Sequence, residues 1–278
     1  MADPESVHAF LDALSDHFQR PEYIRFDPIA VPHGFDDPAD QEIIGLFAAL
    51  LAWGRRDTML KKLEELCERM DFRPARFIRD FDLERDEPKL RGFKHRTFQP
   101  EDALHFCRNL SACVTRFGSI EATAAPNRNP VEAEVGIGSA IEALSSNILG
   151  SHPDTPRRLS KHLARPGTGS ACKRLCMYFR WMTRPGPFDL GVWKSFDQSE
   201  LVLPLDVHSG RQARALGLLE RKQDDWRGAI ELTRRCREFD ASDPARYDFA
   251  FFGLGAYGVP SSLRATASSV FRVSPTER

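Results

Sequence analysis

The chain has 278 residues, of which 41% are hydrophobic, with 39 basic and 40 acidic side chains. This composition predicts a globular protein of one or two compact lobes. A formal net charge of −1 excludes a protein that coats nucleic acid by its overall charge, although a local basic cleft is compatible with it. The start carries no signal segment and no run of about 18 apolar residues occurs, so we expect a cytoplasmic protein without membrane contact.

Apolar spacing predicts helices along almost the whole chain and no sheet. A first amphipathic helix is predicted over residues 7–18, followed by a loop rich in Asp, Pro and Gly. Asp37 is a predicted N-cap with Pro38 at the first helical position. The nearly apolar segment after it predicts a central helix that ends at Gly54.

Further helices are predicted, in chain order, over residues 55–70, 101–117, 131–149 (one or two helices), 171–184, 206–217, 226–239 and from Asp243 onward. Residues 122–129 are a predicted loop, and "RPGTGS" at 165–170 is a glycine-bearing turn. "PGP" at 185–187 ends the helix before it. The polar tail beyond Ser261 is expected to be loosely ordered.

The six cysteines form no CxxC pair and no closely spaced quartet, so we expect reduced, buried thiols and neither a metal nor an iron–sulfur cluster. They are Cys67, Cys107, Cys113, Cys172, Cys176 and Cys236.

Asp206 stands where the apolar run "LVLPL" ends and a helical pattern begins. An aspartate at this position typically caps the helix by accepting hydrogen bonds from first-turn amides, which is worth about 1 kcal/mol. Because Asp206 directly follows this apolar run, it is expected to lie at the edge of the packed core, which also favours a functional carboxylate. Arg211 and Arg214, on the same predicted helix, could then contact phosphates.

The helix after the glycine turn has a polar face and a core stripe. The polar face carries Lys173, Met177, Arg180 and Arg184 at helical spacing. The core stripe carries Leu175, Phe179 and Met182. The positive end of the helix dipole disfavours a lysine in the first turn by some tenths of a kcal/mol. Lys173 is therefore either a solvated or phosphate-docking lysine, or a nucleophilic amine.

The glycine turn, the helix carrying Lys173 and the "PLDVH" segment resemble the helix-hairpin-helix DNA glycosylase superfamily. There a Gly-x-Gly hairpin holds the lysine, and an Asp in a "VDTH" or "VDVH" motif caps the next helix. "CKRLCMYFRWMTR", "FDLGVW", "LPLDVH" and "DPARYDFAFFGLG" resemble an uncharacterised bacterial family, the domain of unknown function 2400, a distant branch of that superfamily. The resemblance spans residues 37–255. Ala171 stands where the superfamily places its lysine, and the long segment between Lys173 and Asp206 is similar to that of the archaeal 8-oxoguanine glycosylases.

The resemblance implies an enzyme, a DNA glycosylase with AP lyase activity, that flips out and excises a damaged base, an oxidised purine such as 8-oxoguanine being favoured. Asp206 would stabilise the positive charge on the sugar, and Lys173 would attack the sugar carbon to form a Schiff base. No cofactor or metal is implied. The expected partner is double-stranded DNA containing a damaged base, bound by a monomer at the nucleoid.

Other residues are expected around this pair. For the base pocket or the wedge that fills the DNA gap we predict Trp53, Arg55, Arg56, Asp189, Trp193 and His208. For DNA binding we predict Arg157, Arg158, Lys161, Gly167, Gly169, Arg174, Arg180, Arg211 and Arg214. Charge runs are often only solvated surfaces, and both tryptophans are equally consistent with core packing.

The predicted fold is all-α, with two helical lobes, a helix-hairpin-helix element and a cleft between the lobes. Residues 37–184 form a contiguous lobe that ends in the hairpin. Residues 1–36 join residues 185–262 in the second lobe, and residues 263–278 form a loose tail. Two alternatives remain: a non-catalytic, structure-specific DNA-binding protein of the same fold, and an enzyme that acts on RNA or on crosslinked DNA.

Overall fold

The computed structural model describes residues 3–125 and 133–271. Its α-helices are α1 (Pro4–Phe18), α2 (Pro38–Leu50), α3 (Arg56–Arg69), α4 (Pro74–Arg79), α5 (Leu83–Leu90), α6 (Pro100–Phe117), α7 (Ile120–Ala124), α8 (Ala133–Gly150), α9 (Lys173–Thr183), α10 (Val207–Ala215), α11 (Trp226–Phe239), α12 (Tyr247–Tyr257) and α13 (Arg264–Val270). The residues of these two ranges form no strand, and the all-α prediction is confirmed. None of the described helices is both long and apolar enough to cross a membrane.

Helix α2 lies at the centre of the core, as its apolar sequence predicts. The Asp37 carboxylate accepts a hydrogen bond from the amide of Ala39, with Pro38 at the first helical position. Every residue from Glu42 to Leu50 is buried, and the helix packs against α4 and α9. Since α9 begins with Lys173, the central helix supports the element that carries the predicted nucleophile.

One buried carboxylate of α2 joins distant parts of the chain. Glu42 accepts hydrogen bonds from the amides of Ile120 (3.1 Å) and Glu121 (2.8 Å) and from the indole nitrogen of Trp193 (2.7 Å). Burial raises the pKa of Glu42, and these three donors oppose the rise. The carboxylate thereby caps α7 and holds the segment between α9 and α10 against the core.

Several local predictions differ from the structure. The predicted loop at 122–129 begins inside α7, because Ser119 caps that helix through the amide of Ala122. Residues 126–129 of that loop lie outside the described residues. The 131–149 segment is a single helix from Ala133. The proline-rich segment after α1 forms three short 3₁₀ turns, at Pro21–Phe26, Pro28–Ala30 and Pro32–Gly34.

Part of the predicted loose tail forms a helix, α13, which corrects the sequence-based expectation for these residues. Helix α13 packs against α1, with Ala267 and Val270 buried. The rings of Phe10 and Phe271 meet edge to face at 5.8 Å. Apolar contact with α1 therefore orders a segment whose own sequence is mainly small and polar.

The division into two lobes and the helix-hairpin-helix element stay predictions.

Helices α1 and α12 approach each other closely at Gly253. A Cβ atom at this position would lie 2.1–2.5 Å from the Phe18 ring carbons, well inside van der Waals contact distance, whereas one at Gly255 meets only the Cβ of His208 at 3.4 Å. Both glycines lie within α12.

We expect Gly253→Ala to lower the free energy of unfolding by about 1–3 kcal/mol, because the added methyl group overpacks the contact with Phe18. The matched control, Gly255→Ala, should be neutral or stabilising by up to about 1 kcal/mol through helix propensity. Urea denaturation of both variants measures the difference, and equal stabilities would contradict close packing at Gly253.

Candidate functional site

Lys173 and Asp206 meet in space although they are far apart in the chain. The Lys173 ammonium nitrogen Nζ lies 3.3 Å from Oδ2 of Asp206, with 49% of the lysine side chain and 30% of the aspartate side chain exposed. An accessible amine thus lies beside a half-buried carboxylate, and the two residues that the sequence analysis singled out are neighbours in space.

The backbone before α9 presents Lys173 at the helix start. Gly169 adopts a left-handed conformation with φ of 80°, and Cys172 does so with φ of 52° at the N-cap. The Cys172 amide is held by the hydroxyl of Ser170 at 3.2 Å, and its carbonyl accepts the first helical hydrogen bonds, from Leu175 and Cys176. Two left-handed residues reverse the chain, so that α9 starts at the lysine.

The two oxygens of Asp206 have separate roles. Oδ1 caps α10 by accepting hydrogen bonds from the amides of His208 (2.8 Å) and Ser209 (2.9 Å), whereas Oδ2 faces Lys173. Burial alone would raise the pKa of Asp206, but the Ser209 amide and the Lys173 ammonium outweigh it, and the pKa lies below its ordinary value. The carboxylate is therefore ionised near neutral pH. Helix capping and a functional role are compatible at this residue.

The pair lines a cleft with a volume of about 230 Å³. This is smaller than the roughly 300–1,000 Å³ of typical sites for drug-sized ligands and suits a single ring system. The cleft walls include the apolar side chains Met59, Met177 and Phe252, the carboxylates Asp27, Asp206 and Asp248, and the cations Arg56, Lys173 and Arg174.

Asp27 and Asp248 are cleft residues that sequence reasoning missed. Burial raises the pKa of both, and that of Asp248 reaches about 7, with Arg180 opposing the rise and Asp206 adding to it. The sequence could have indicated Asp248, because it is the one carboxylate within the apolar run "YDFAFFGLG". Asp27 offered no such signal, since it stands in a loop rich in polar residues.

Two aromatic residues were also missed, Phe252 in the cleft wall and Tyr257 beside Arg56. Phe252 and Tyr257 are 40% and 44% exposed, which is unusual for large rings. The Arg56 guanidinium donates a hydrogen bond to the Tyr257 hydroxyl at 3.1 Å and lies 5.9 Å from both ring centroids. Arg56 therefore lies at the cleft as predicted, with an exposed aromatic surface beside it.

Trp53 lines the cleft, but its ring is already engaged. It stacks on His95 at 5.7 Å and on His162 at 5.6 Å, and the Arg174 guanidinium lies 4.5 Å from its centroid. The His95 ring also hydrogen-bonds the Trp53 carbonyl at 3.0 Å. This packing makes Trp53 a fixed wall of the cleft, and a wedge that enters DNA would have to break it.

Three predicted site residues are instead buried. Arg180 and Asp189 form an ion pair at 3.3 Å, and Asp189 also pairs with Arg184 at 2.6 Å. Trp193 packs against Phe179 and donates its indole hydrogen bond within the core. Predictions of a base-pocket role for Asp189 and Trp193, and of phosphate binding for Arg180, are therefore corrected, because none of these side chains reaches the surface.

Two predicted phosphate ligands have their hydrogen bonds satisfied inside the protein. Arg214 donates to the carbonyl of Arg221 (2.8 Å) and to Asp224 (2.7 Å). Arg174 donates to the backbone carbonyls of Leu50 (2.6 Å) and Lys161 (3.2 Å). Burial lowers the pKa of Arg174 to about 10. Both guanidiniums therefore serve to hold the structure.

The glycine turn is likewise occupied. The amide of Gly167 donates to a Glu142 carboxylate oxygen at 3.0 Å, and that of Gly169 to the carbonyl of Pro166 at 2.8 Å. These contacts oppose the predicted DNA-binding role of Gly167 and Gly169, because neither amide is left open to a phosphate. The turn has the predicted shape, but Glu142 takes the place expected for an anion.

Most of the remaining predicted residues are exposed. Arg55 pairs with Asp57 while 83% of its side chain stays exposed, and Arg158 pairs with Asp102 at 2.9 Å. The other exposed residues are Arg157, Lys161, His208 and Arg211. His208 is not among the residues that line the cleft, and its role in the base pocket or the wedge stays a prediction.

The cysteines are all buried and unpaired, as predicted. Over residues 3–125 and 133–271, no group of three or more His, Cys, Asp or Glu side chains is arranged to hold a metal ion.

The raised pKa of Asp248 gives a pH-dependent stability. Between about pH 4 and pH 7 the native state keeps a proton that the unfolded chain releases, so the contribution of Asp248 to the free energy of unfolding falls as pH rises, by at most about 1.4 kcal/mol per pH unit. The free energy of unfolding of the unsubstituted protein minus that of Asp248→Asn should therefore decrease across this window. Denaturant titrations at several pH values measure the slope, and a pH-independent difference would contradict a neutral Asp248.

Comparison with known proteins gives one family. No curated protein and no solved structure matches the chain. The model of a protein family of unknown function, DUF2400, matches residues 27–257, which include Asp27, Lys173, Asp206 and Asp248. The chain belongs to this family.

Proposed function

We propose that the protein is a DNA glycosylase with AP lyase activity that excises a damaged base, an oxidised purine such as 8-oxoguanine being favoured. The observation that carries the proposal is the 3.3 Å approach of the Lys173 amine to the Asp206 carboxylate in a cleft of the size of one ring system. The sequence resemblance to the helix-hairpin-helix glycosylases supports the same two roles. We include in the proposal a distant relationship to that superfamily, with its two lobes and hairpin.

The two side chains supply complementary chemistry. As the bond between the sugar carbon C1′ and the base breaks, positive charge develops on the sugar, and an ionised Asp206 stabilises it electrostatically. The departing base takes up a proton from the Lys173 ammonium, and the amine formed in this way attacks C1′. Opening of the sugar ring gives a Schiff base, from which loss of a C2′ proton expels the 3′ phosphate. Neither step requires a metal or a redox cofactor.

DNA recognition would rely on local charge. The net charge of −1 gives no bulk attraction, but Arg55, Arg157, Lys161 and Arg211 are exposed basic side chains. A base flipped out of a duplex would enter the cleft, whose apolar walls suit its faces. We propose action as a monomer on damaged double-stranded DNA in the cytoplasm, at the nucleoid. A non-catalytic DNA-binding protein, or an enzyme acting on RNA or crosslinked DNA, is the alternative that the following experiments address.

We expect Lys173→Gln to abolish covalent trapping by borohydride on abasic or 8-oxoguanine duplex, because reduction captures only a Schiff base formed by an amine. The fold should persist, since the Lys173 side chain is half exposed. Lys194→Gln is the matched control, because Lys194 is an exposed lysine that donates to the carbonyl of Gly191 and does not line the cleft. Undiminished trapping by Lys173→Gln would place the nucleophile elsewhere.

We expect Asp206→Asn to slow base excision by a factor of about 10² or more, the size of effect seen when a preorganised electrostatic stabiliser is removed. Stability should change little, because Asn also caps helices well. Asp225→Asn is the matched control, since Asp225 caps α11 through the amide of Gly228. Single-turnover excision assays measure the rates. Wild-type activity of Asp206→Asn would contradict the prediction and leave helix capping as the role of Asp206.

A further inference from the structure

A second cavity lies at the opposite end of α3 from the cleft. Its volume is about 480 Å³, compared with about 230 Å³ for the cleft, and falls within the range of roughly 300–1,000 Å³ that is typical of small-molecule sites. Arg56 and Met59 at the start of α3 line the cleft, whereas Met70, just after its end, lines the second cavity. Since a helix of 14 residues is about 21 Å long, the two spaces are separate.

The cavity walls come from the end of α3, from α4 and its preceding residue, and from α5. They hold three carboxylates and four cations, and the cations are Arg73, Arg76, Arg85 and Lys89. The buried side chains of Met70 and Phe77 supply an apolar part of the wall. The cavity therefore combines a net positive charge with an apolar surface.

The carboxylate of Asp86 holds two of the cations in place. It is buried, accepts hydrogen bonds from Arg85 (2.6 Å) and from the amide of Asp82 (2.9 Å), and lies 3.7 Å from the ammonium of Lys89. Burial alone would raise the pKa of Asp86, but the hydrogen bonds from Arg85 and the Asp82 amide outweigh it, and the pKa lies below its ordinary value. One ionised, buried carboxylate thus anchors two positive charges at the cavity wall.

Arg73 is exposed and carries an uncommitted guanidinium. Among the described residues, its side chain has no hydrogen-bond or ion-pair partner. Asp71 and Phe72, with φ of 54° and 51°, are both left-handed and reverse the chain between α3 and α4. This conformation is uncommon for residues other than glycine, and it brings Arg73 to the cavity wall.

Two further cations have partners that an anion could replace. The guanidinium of Arg76 lies 3.5 Å from Asp80, with 68% and 55% of the two side chains exposed. Lys89 pairs with Asp71 at 3.1 Å, and 74% of the Asp71 side chain is exposed. Exposed ion pairs contribute little net stability, so exchanging either carboxylate for a ligand anion costs little.

We propose that this cavity binds the phosphate group of a small organic phosphomonoester, with Arg73 and Arg76 as its principal ligands. Guanidinium groups bind phosphate through paired hydrogen bonds. A tetrahedral phosphate accepts donors from several directions, as their placement on different elements requires, whereas a carboxylate accepts them close to one plane. The cavity is far larger than a phosphate group, so the organic part can pack against Met70 and Phe77. The inference is independent of the proposed glycosylase function.

The test is an equilibrium titration at low ionic strength, where charge interactions are least screened. The probes are adenosine monophosphate, glycerol phosphate, inorganic phosphate and adenosine. We expect both esters to bind at millimolar concentrations and adenosine, which lacks the phosphate, not to bind. Arg73→Gln and, separately, Arg76→Gln should weaken ester binding about 10-fold or more, because each removes charge-assisted hydrogen bonds.

Arg79→Gln is the matched control. Arg79 is an exposed arginine of the same helix as Arg76 and does not line the cavity, so its substitution makes the same change in charge and should leave the affinities unchanged. An equal loss of affinity in all three variants would reveal a general charge effect and overturn the proposal.

Other outcomes also overturn it. These are absence of ester binding to the unsubstituted protein, for which no variant is needed, and binding of inorganic phosphate but of neither ester. Adenosine binding as tight as that of its monophosphate would exclude the phosphate as the recognised group. If the esters do not bind but Arg73→Gln weakens binding of duplex DNA, the arginines contact the DNA backbone instead of a small ligand.

Discussion

A buried network of ion pairs between α9 and the segments that follow it holds the cleft in shape. Arg184 donates to both oxygens of Asp243 and to Asp189, while Arg180 pairs with Asp189 and Asp248. Burying each of these charges costs several kcal/mol, and only multiple, well-directed hydrogen bonds offset that cost. Because loss of one partner leaves a buried charge uncompensated, at a cost of about 3–5 kcal/mol, the network tolerates few changes.

The network also connects structure to function through a single helix. Helix α9 begins at the exposed Lys173, carries Arg180 in its buried last turn and is followed directly by the buried Arg184. The ion pairs of Arg180 and Arg184 therefore fix the orientation of α9, and with it the position of Lys173. Asp248 belongs both to the network and to the cleft, so the cleft carboxylate is held by the same contacts. Its pKa near 7 follows from burial among other carboxylates that Arg180 offsets only in part.

Asp206 illustrates how one side chain meets two demands. Its capping hydrogen bonds fix the carboxylate orientation, which leaves Oδ2 directed at Lys173 without further support. A preorganised carboxylate needs no rearrangement when charge develops beside it, which is the condition for electrostatic stabilisation. Fixed side chains therefore surround the position proposed for the extruded base.

The sequence by itself determined the longer helices and the N-caps at Asp37 and Asp206, because apolar periodicity and capping depend on neighbours within one or two turns. It identified Lys173 and Asp206 as a pair through their resemblance to known motifs, and it did not predict α4, α5, α7 or α13. Tertiary structure alone decided which charged residues are buried. Arg180 has the same spacing as a surface residue, and Asp27 is one acid among several in a loop, yet both lie near the cleft. Charge and periodicity do not reveal such partners, because the residues that neutralise a buried charge lie far along the chain and meet it only when the helices pack.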